Sequence, residues 1–265
     1  MVAILETWSL TRRFGALVAV DRFTVAVQAG EVFGLVGPNG AGKTTVIKML
    51  VTLLRPTSGT AQVAGYDIVR QAAQVRRVIG YVPQALSADA TLTGYENLLI
   101  FAKLYDIPRA ERAERIRSAL ELMGLTDAAH KLVRTYSGGM IRRLEIAQSM
   151  LHRPPVLFLD EPTVGLDPVA RQSVWGRLEE MRRDYGTTIV LTTHYMEEAD
   201  SLCTRVAIMH LGRVAAIGSP AQLKAEVGEG ATLDQVFVHF TGGELEEGGG
   251  YREAERTRRT SRRLG

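Results

Sequence analysis

One cysteine, Cys203, stands alone in a chain of 265 residues. That excludes an internal disulfide framework and a cysteine-built zinc site. The five histidines (His130, His152, His194, His210, His239) show no metal-ligand spacing. No apolar run approaches the roughly 20 residues that span a bilayer, and the opening residues lack a signal-peptide pattern, so a cytosolic setting is expected. Charge of one sign is missing too. The 32 basic and 29 acidic residues are interspersed and leave a net charge of +3, so no nucleic-acid partner is expected. What remains is ordinary globular composition, 46% apolar and 23% charged, which argues against disorder or a fibrous repeat. A chain this long buries roughly 70–75% of its unfolded surface, enough for one large domain or a domain with an inserted unit.

The opening reads as strands over 3–10 and 17–27, with Phe23, Val25 and Val27 alternating against smaller or polar residues. Val32–Val36 is a short apolar run suited to a strand buried on both faces. A glycine-rich loop follows, then a helical stretch over Thr44–Leu54 that stops before Arg55-Pro56. Short strands are predicted at Thr60–Ala64 and Ile79–Val82. From Thr93 to Met123 the texture turns helical: Thr93 and Glu96 form a capping box, Pro108 opens a second helix, and Gly124 closes it. A third helix starts near Ser137. After Pro154-Pro155 strands and helices alternate again: a strand at Val156–Leu159, a helix at Pro168–Asp184 capped by Asp167, a strand at Thr188–Leu191 and a short helix at Met196–Leu202. Val206–Met209 and Arg213–Ile217 form a hairpin around Leu211-Gly212. This pattern predicts an α/β sheet, at least partly parallel, interrupted by a helical block. The tail from Gly242, with Gly248–Gly250 and an arginine run, is expected to be flexible and solvated.

Gly37-Pro38-Asn39-Gly40-Ala41-Gly42-Lys43-Thr44 fits G-x-x-x-x-G-K-[ST] between an apolar strand and a helix. Glycines let successive backbone N–H groups curl around a phosphate, and the helix behind adds its positive end. Lys43 supplies a mobile charge for the outer phosphates, and the Thr44 hydroxyl is suited to ligate Mg²⁺. Asp160-Glu161 stands at the end of the Val156–Leu159 strand, where α/β sheets bind ligands. Asp160 suits the Mg²⁺ shell, and Glu161 is placed to orient or deprotonate an attacking water. An acid pair capping a helix is the plain alternative for these two residues. His194, at the end of the next strand, is suited to hydrogen-bond a γ-phosphate, although a lone strand-end histidine is more often a satisfied surface residue. Ser137-Gly138-Gly139 opens a helix far from the phosphate loop and makes a second anion site, or else an ordinary flexible cap.

Taken together, these motifs resemble the nucleotide-binding subunit of ATP-binding cassette (ABC) transporters over roughly residues 3–240. Gly37–Thr45 resembles the Walker A loop, Gln84 the Q-loop glutamine, and Tyr136-Ser137-Gly138-Gly139-Met140 the signature motif. Val156–Asp160 with Glu161 is similar to Walker B and its catalytic glutamate, Gly165-Leu166-Asp167 to the D-loop, and His194 to the switch histidine. The resemblance implies a P-loop NTPase (RecA-like) core with an antiparallel β subdomain at 1–84 and 153–230. It further implies a helical signature subdomain at 85–152 and a C-terminal helix at 231–241, with 242–265 as the flexible tail.

It also implies ATP and Mg²⁺ as cofactors, with Thr44, Gln84 and Asp160 at the metal and Glu161, His194 and Gln84 in catalysis. Phe14 matches the aromatic residue that stacks on adenine; the plain reading is a packing aromatic. Gly37 through Thr45 and Ser137, Gly138 and Gly139 would contact nucleotide, the latter three from the other subunit of an ATP-closed dimer, homomeric or with a paralogue. Gln84 and the helices after it would receive a membrane-spanning permease subunit at the cytoplasmic face of the membrane. Tyr136 and Met140 depart from the Leu and Gln that most often flank Ser-Gly-Gly. Together with Thr232–Phe237 and Thr241-Gly242-Gly243 they resemble the daunorubicin/doxorubicin-resistance type, which implies export of a hydrophobic drug, antibiotic or lipid. The alternative is a soluble ATPase of the same family. A GTPase is disfavoured by the lack of Asn-Lys-x-Asp, and a kinase by Glu161, which suits a water nucleophile.

Overall fold

The computed structural model describes residues 3–242, so the tail beyond Gly242 lies outside the described residues. Two sheets carry the chain. The first is antiparallel: β1 (Ala3–Phe14) pairs with β2 (Leu17–Phe23), β3 (Ala26–Gln28) and β5 (Ser58–Val63), and β5 pairs with β6 (Tyr66–Asp67). The second runs β11-β10-β4-β9-β8-β7, with β4 (Val32–Val36), β7 (Ile79–Val82), β8 (Val156–Asp160), β9 (Thr188–Thr193), β10 (Arg205–His210) and β11 (Arg213–Gly218). All its pairings are parallel except the hairpin β10–β11. At that hairpin's tip Leu211 and Gly212 both have positive φ, as a two-residue primed turn requires.

The central strands β4, β8 and β9 are buried at every residue, which explains their unbroken apolar runs. Alternate side chains feed two cores. Val32, Leu157, Leu159 and Leu191 face helices, whereas Phe33, Leu35, Phe158 and Val190 face the antiparallel sheet. The second core is closed by α1 (Lys43–Leu50) through Val46, Ile47 and Leu50. The first is closed by the helical block α3 (Gly94–Leu104), α4 (Arg109–Leu122) and α5 (Gly138–Met150), together with α6 (Pro168–Tyr185), α7 (Met196–Leu202) and α9 (Leu233–Thr241). The Thr93–Glu96 capping box and the Asp167 and Ser137 N-caps form as read from the sequence.

Two readings are corrected, and three elements were not read. The expected strand at 17–27 is two strands, because Arg22 takes a left-handed φ of 50° and the Val25 amide turns to the Thr7 hydroxyl at 2.8 Å. The helix expected to reach Leu54 ends at Leu50, since Thr52 has φ 65° and the Leu54 amide folds back onto the Lys48 carbonyl. The helices α2 (Ala72–Arg77) and α8 (Pro220–Val227) and the two-residue β6 carry too little periodicity to read from sequence.

Candidate nucleotide-binding and catalytic site

The parallel strands end at one edge, and the candidate residues collect there. Between β4 and α1 the loop 37–42 bends through positive φ at Gly37, Gly40 and Gly42. A Cβ at Gly37 would lie 2.2 Å from the Met209 carbonyl oxygen, and one at Gly42 2.5 Å from that of Ala19. Side chains are therefore excluded by both conformation and space. Pro38 and Ala41 shape the loop: the Ala41 amide donates to the Pro38 carbonyl, and its own carbonyl accepts from Gly212. The result is a concave run of amides at a helix N-terminus, a cradle for a phosphate.

Lys43 is only 4% exposed. Its Nζ donates to the carbonyls of Gly37 (2.7 Å) and Pro38 (3.0 Å) and lies 3.6 Å from Oε1 of Glu161. Burial lowers its pKa below the ordinary value, while Glu161 and Asp160 pull the other way. The Thr44 hydroxyl donates to Oδ1 of Asp160 at 3.0 Å, and the Thr192 hydroxyl donates to the same oxygen at 2.6 Å. A hydroxyl beside a buried carboxylate is an all-oxygen donor set that fits a hard divalent cation. Among the described residues no group of three or more His, Cys, Asp or Glu side chains forms a metal cage. Burial and the Asp160 charge push the Tyr81 phenol on β7 up to about 12, so it stays neutral beside the site.

Glu161 follows β8 with a left-handed φ of 49°. Its amide donates to the Thr192 hydroxyl at 2.9 Å, which turns the side chain into the cleft. Three candidate residues surround its carboxylate: Lys43, His194 with Nδ1 3.2 Å from Oε2, and Gln84 with Nε2 3.4 Å from Oε2. Burial would raise its pKa, but His194 and Lys43 outweigh burial and hold it below the ordinary carboxylate value.

Lys43, Gln84 and Glu161 line a cleft of about 670 Å³ that also takes in Phe14, Asn39, Gly40, Gly42, Thr44 and Thr45. Phe14 is 46% exposed at the end of β1, and the Arg12 guanidinium lies 4.5 Å from its ring centroid on one face. Leu17, Val18, Ala19, Leu211 and Gly212 complete the wall and were not read as site residues. They arrive through β2 and the β10–β11 hairpin, and no local motif marks them. Ser137, Gly138 and Gly139 do not line this cleft. Ser137 and Gly138 are exposed at the start of α5, where first-turn amides have no intrahelical partner. A Cβ at Gly138 would meet only Leu166, in the 165–167 turn, at 3.6 Å. One copy of the chain thus has a phosphate cradle and, apart from it, a second anion-fit helix end facing outward.

Comparison with known proteins agrees with this geometry. The family description "ABC transporter" matches residues 20–164. The chain belongs to the ABC transporter family. It is 46% identical over 224 residues to the daunorubicin/doxorubicin resistance ATP-binding protein DrrA of Streptomyces peucetius, covering 84% of this chain and 68% of that one. It is 43% identical over 247 residues to the Nod factor export ATP-binding protein I of Cupriavidus metallidurans, covering 93% and 79% respectively. A solved ATP-binding subunit of an ABC transporter superposes with a TM-score of 0.79 at 31% identity, over 90% of this chain and 99% of that one. The RecA-like ABC ATPase fold and the resemblance to the daunorubicin-resistance type are therefore established, and the chain is an ATP-binding ATPase.

Proposed function

We propose that this ABC ATPase powers export of a hydrophobic drug, antibiotic or lipid through a separate membrane-spanning permease, working as an ATP-closed dimer at the cytoplasmic face of the membrane. The observation that carries the reading is the convergence of Lys43, Gln84 and His194 on one buried carboxylate, Glu161, at the mouth of the phosphate cradle.

In this reading the amides of residues 37–45 and the Lys43 ammonium hold the triphosphate, and Phe14 stacks on the adenine. Thr44 and Asp160, with Gln84 at the rim, would hold Mg²⁺, which would supply charge neutralisation for the phosphates. Glu161 accepts a proton from water as the water oxygen bonds the γ-phosphorus, and the bond from that phosphorus to the bridging oxygen breaks to release ADP. His194 donates toward the γ-phosphate and positions Glu161. Ser137, Gly138 and Gly139 of a twin molecule cap the same phosphate, which accounts for their outward placement. Closure and reopening of that dimer drive the permease.

Among the described residues no helix is long and apolar enough to cross a membrane. Similarity to a drug-resistance protein and to an export protein supports export over import. Affinity purification of the tagged chain from detergent-solubilised membranes tests the reading. Recovery with a polytopic membrane protein supports it, and recovery with ribosomes or DNA supports the family's soluble class.

A further inference from the structure

The α5 helix buries a row of polar side chains. Arg142, Glu145, Gln148 and Ser149 are each 2–3% exposed, where unpartnered polar groups would be costly. Arg142 spends its whole fork. Nε donates to the Pro162 carbonyl at 2.8 Å, and Nη2 to those of Asp160 (3.2 Å) and Glu161 (3.0 Å). Nη1 reaches the Pro83 carbonyl at 2.6 Å and Glu145 at 3.0 Å. Glu145 in turn accepts from the Ser87 amide and hydroxyl. One guanidinium therefore gathers three consecutive carbonyls of the Asp160–Pro162 segment and the carbonyl next to Gln84.

The pinned segment is strained. Glu161 is a non-glycine residue at φ 49°, a conformation that persists only where its surroundings over-determine it. The Thr192 hydroxyl grips its amide from one side and Arg142 grips the carbonyls from the other. Arg142 stands just over one turn along α5 from Ser137, so helix end and catalytic loop share one rigid element.

We propose that Arg142 is a positioning residue for hydrolysis: it holds the Glu161 backbone in its left-handed conformation and ties that loop both to the Gln84 segment and to the Ser137–Gly139 helix end. It touches neither nucleotide nor water; it acts through Glu161, and so rests on the reading of Glu161 given above. Lysine preserves the charge opposite Glu145 but has three donors on one atom and cannot reach four carbonyls in a plane.

The test is steady-state ATP turnover of the full-length protein carrying Arg142→Lys, with Glu161→Gln measured beside it and affinity for a non-hydrolysable ATP analogue measured for both. A displacement of the carboxylate by an ångström lowers kcat of Arg142→Lys by about 100-fold. Its KM for ATP and its analogue affinity stay near wild type, since neither cradle nor base contact has changed. A kcat near wild type overturns the proposal. So does an equal loss of analogue binding and turnover, including loss through misfolding, because Arg142 would then be a general structural residue. If Glu161→Gln itself turns over normally, the reading of Glu161 falls; if it is dead while Arg142→Lys is active, only the role of Arg142 falls.

Discussion

Oε1 of Glu161 lies 3.6 Å from Nζ of Lys43 at the mouth of the phosphate cradle. The ammonium sits between the Gly37 and Pro38 carbonyls and that carboxylate. In the proposed function, a γ-phosphate entering the cradle would compete for that ammonium and leave Glu161 with one partner fewer.

Lys43→Ala removes the one side-chain cation that, among the described residues, lines the cleft at the cradle floor and leaves Glu161 buried with one counter-charge fewer. ATP turnover is expected to fall by more than about 100-fold, as for loss of a preorganised charge partner. Isothermal titration with ATP should show the loss already at the binding step.

Glu161→Gln keeps the shape and the contact to Gln84 but cannot take a proton. Turnover is expected to drop about 1,000-fold with ATP binding retained. Sedimentation with saturating ATP should then show a dimer, because the closed state no longer decays by hydrolysis. A variant that stays monomeric under those conditions contradicts the shared-nucleotide arrangement.

Phe14→Ala leaves the phosphate cradle intact and removes the stacking face. KM for ATP is expected to rise about 10-fold, with kcat little changed, since stacking on a base is worth about 1–3 kcal/mol. Inhibition by inorganic tripolyphosphate, which has no base, should be unaltered.

The pH profile follows from Glu161, whose folded pKa is held below the ordinary 4.5. A depressed carboxylate adds stability that is fully present above 4.5 and is lost as pH falls through the lower folded value. Thermal melting of wild type and Glu161→Gln between neutral and acid pH checks this. The wild-type advantage from this ionisation should shrink only below 4.5.

Much of this site was legible because its chemistry is local. The Gly37–Thr44 string encodes strand, turn and helix start in eight residues, and Asp160-Glu161 closes an apolar run. Gln84 and His194 were different: each is an ordinary polar residue after a strand, and only the parallel order of β7, β8 and β9 sets them beside Glu161. Arg142 was invisible for a related reason. On a helical wheel it looks like one more arginine next to Arg143, and its burial follows from where Pro83 and Pro162 end up. Leu211 reads as a turn residue, which it is, and nothing local says that the turn borders a cleft.

The neighbours of β4 have a consequence for synthesis. Its residues pair with Ile189–Thr193 on one side and Arg205–Ile208 on the other, and the Gly37 amide donates to the Thr193 carbonyl. A nascent chain emerging from the ribosome thus carries its phosphate-binding string for most of its length before the flanking strands exist. Non-local parallel pairing of this kind is slow and leaves apolar edges open meanwhile. Translation arrested before residue 205 should give a product that fails to retain ATP, however complete its glycine loop.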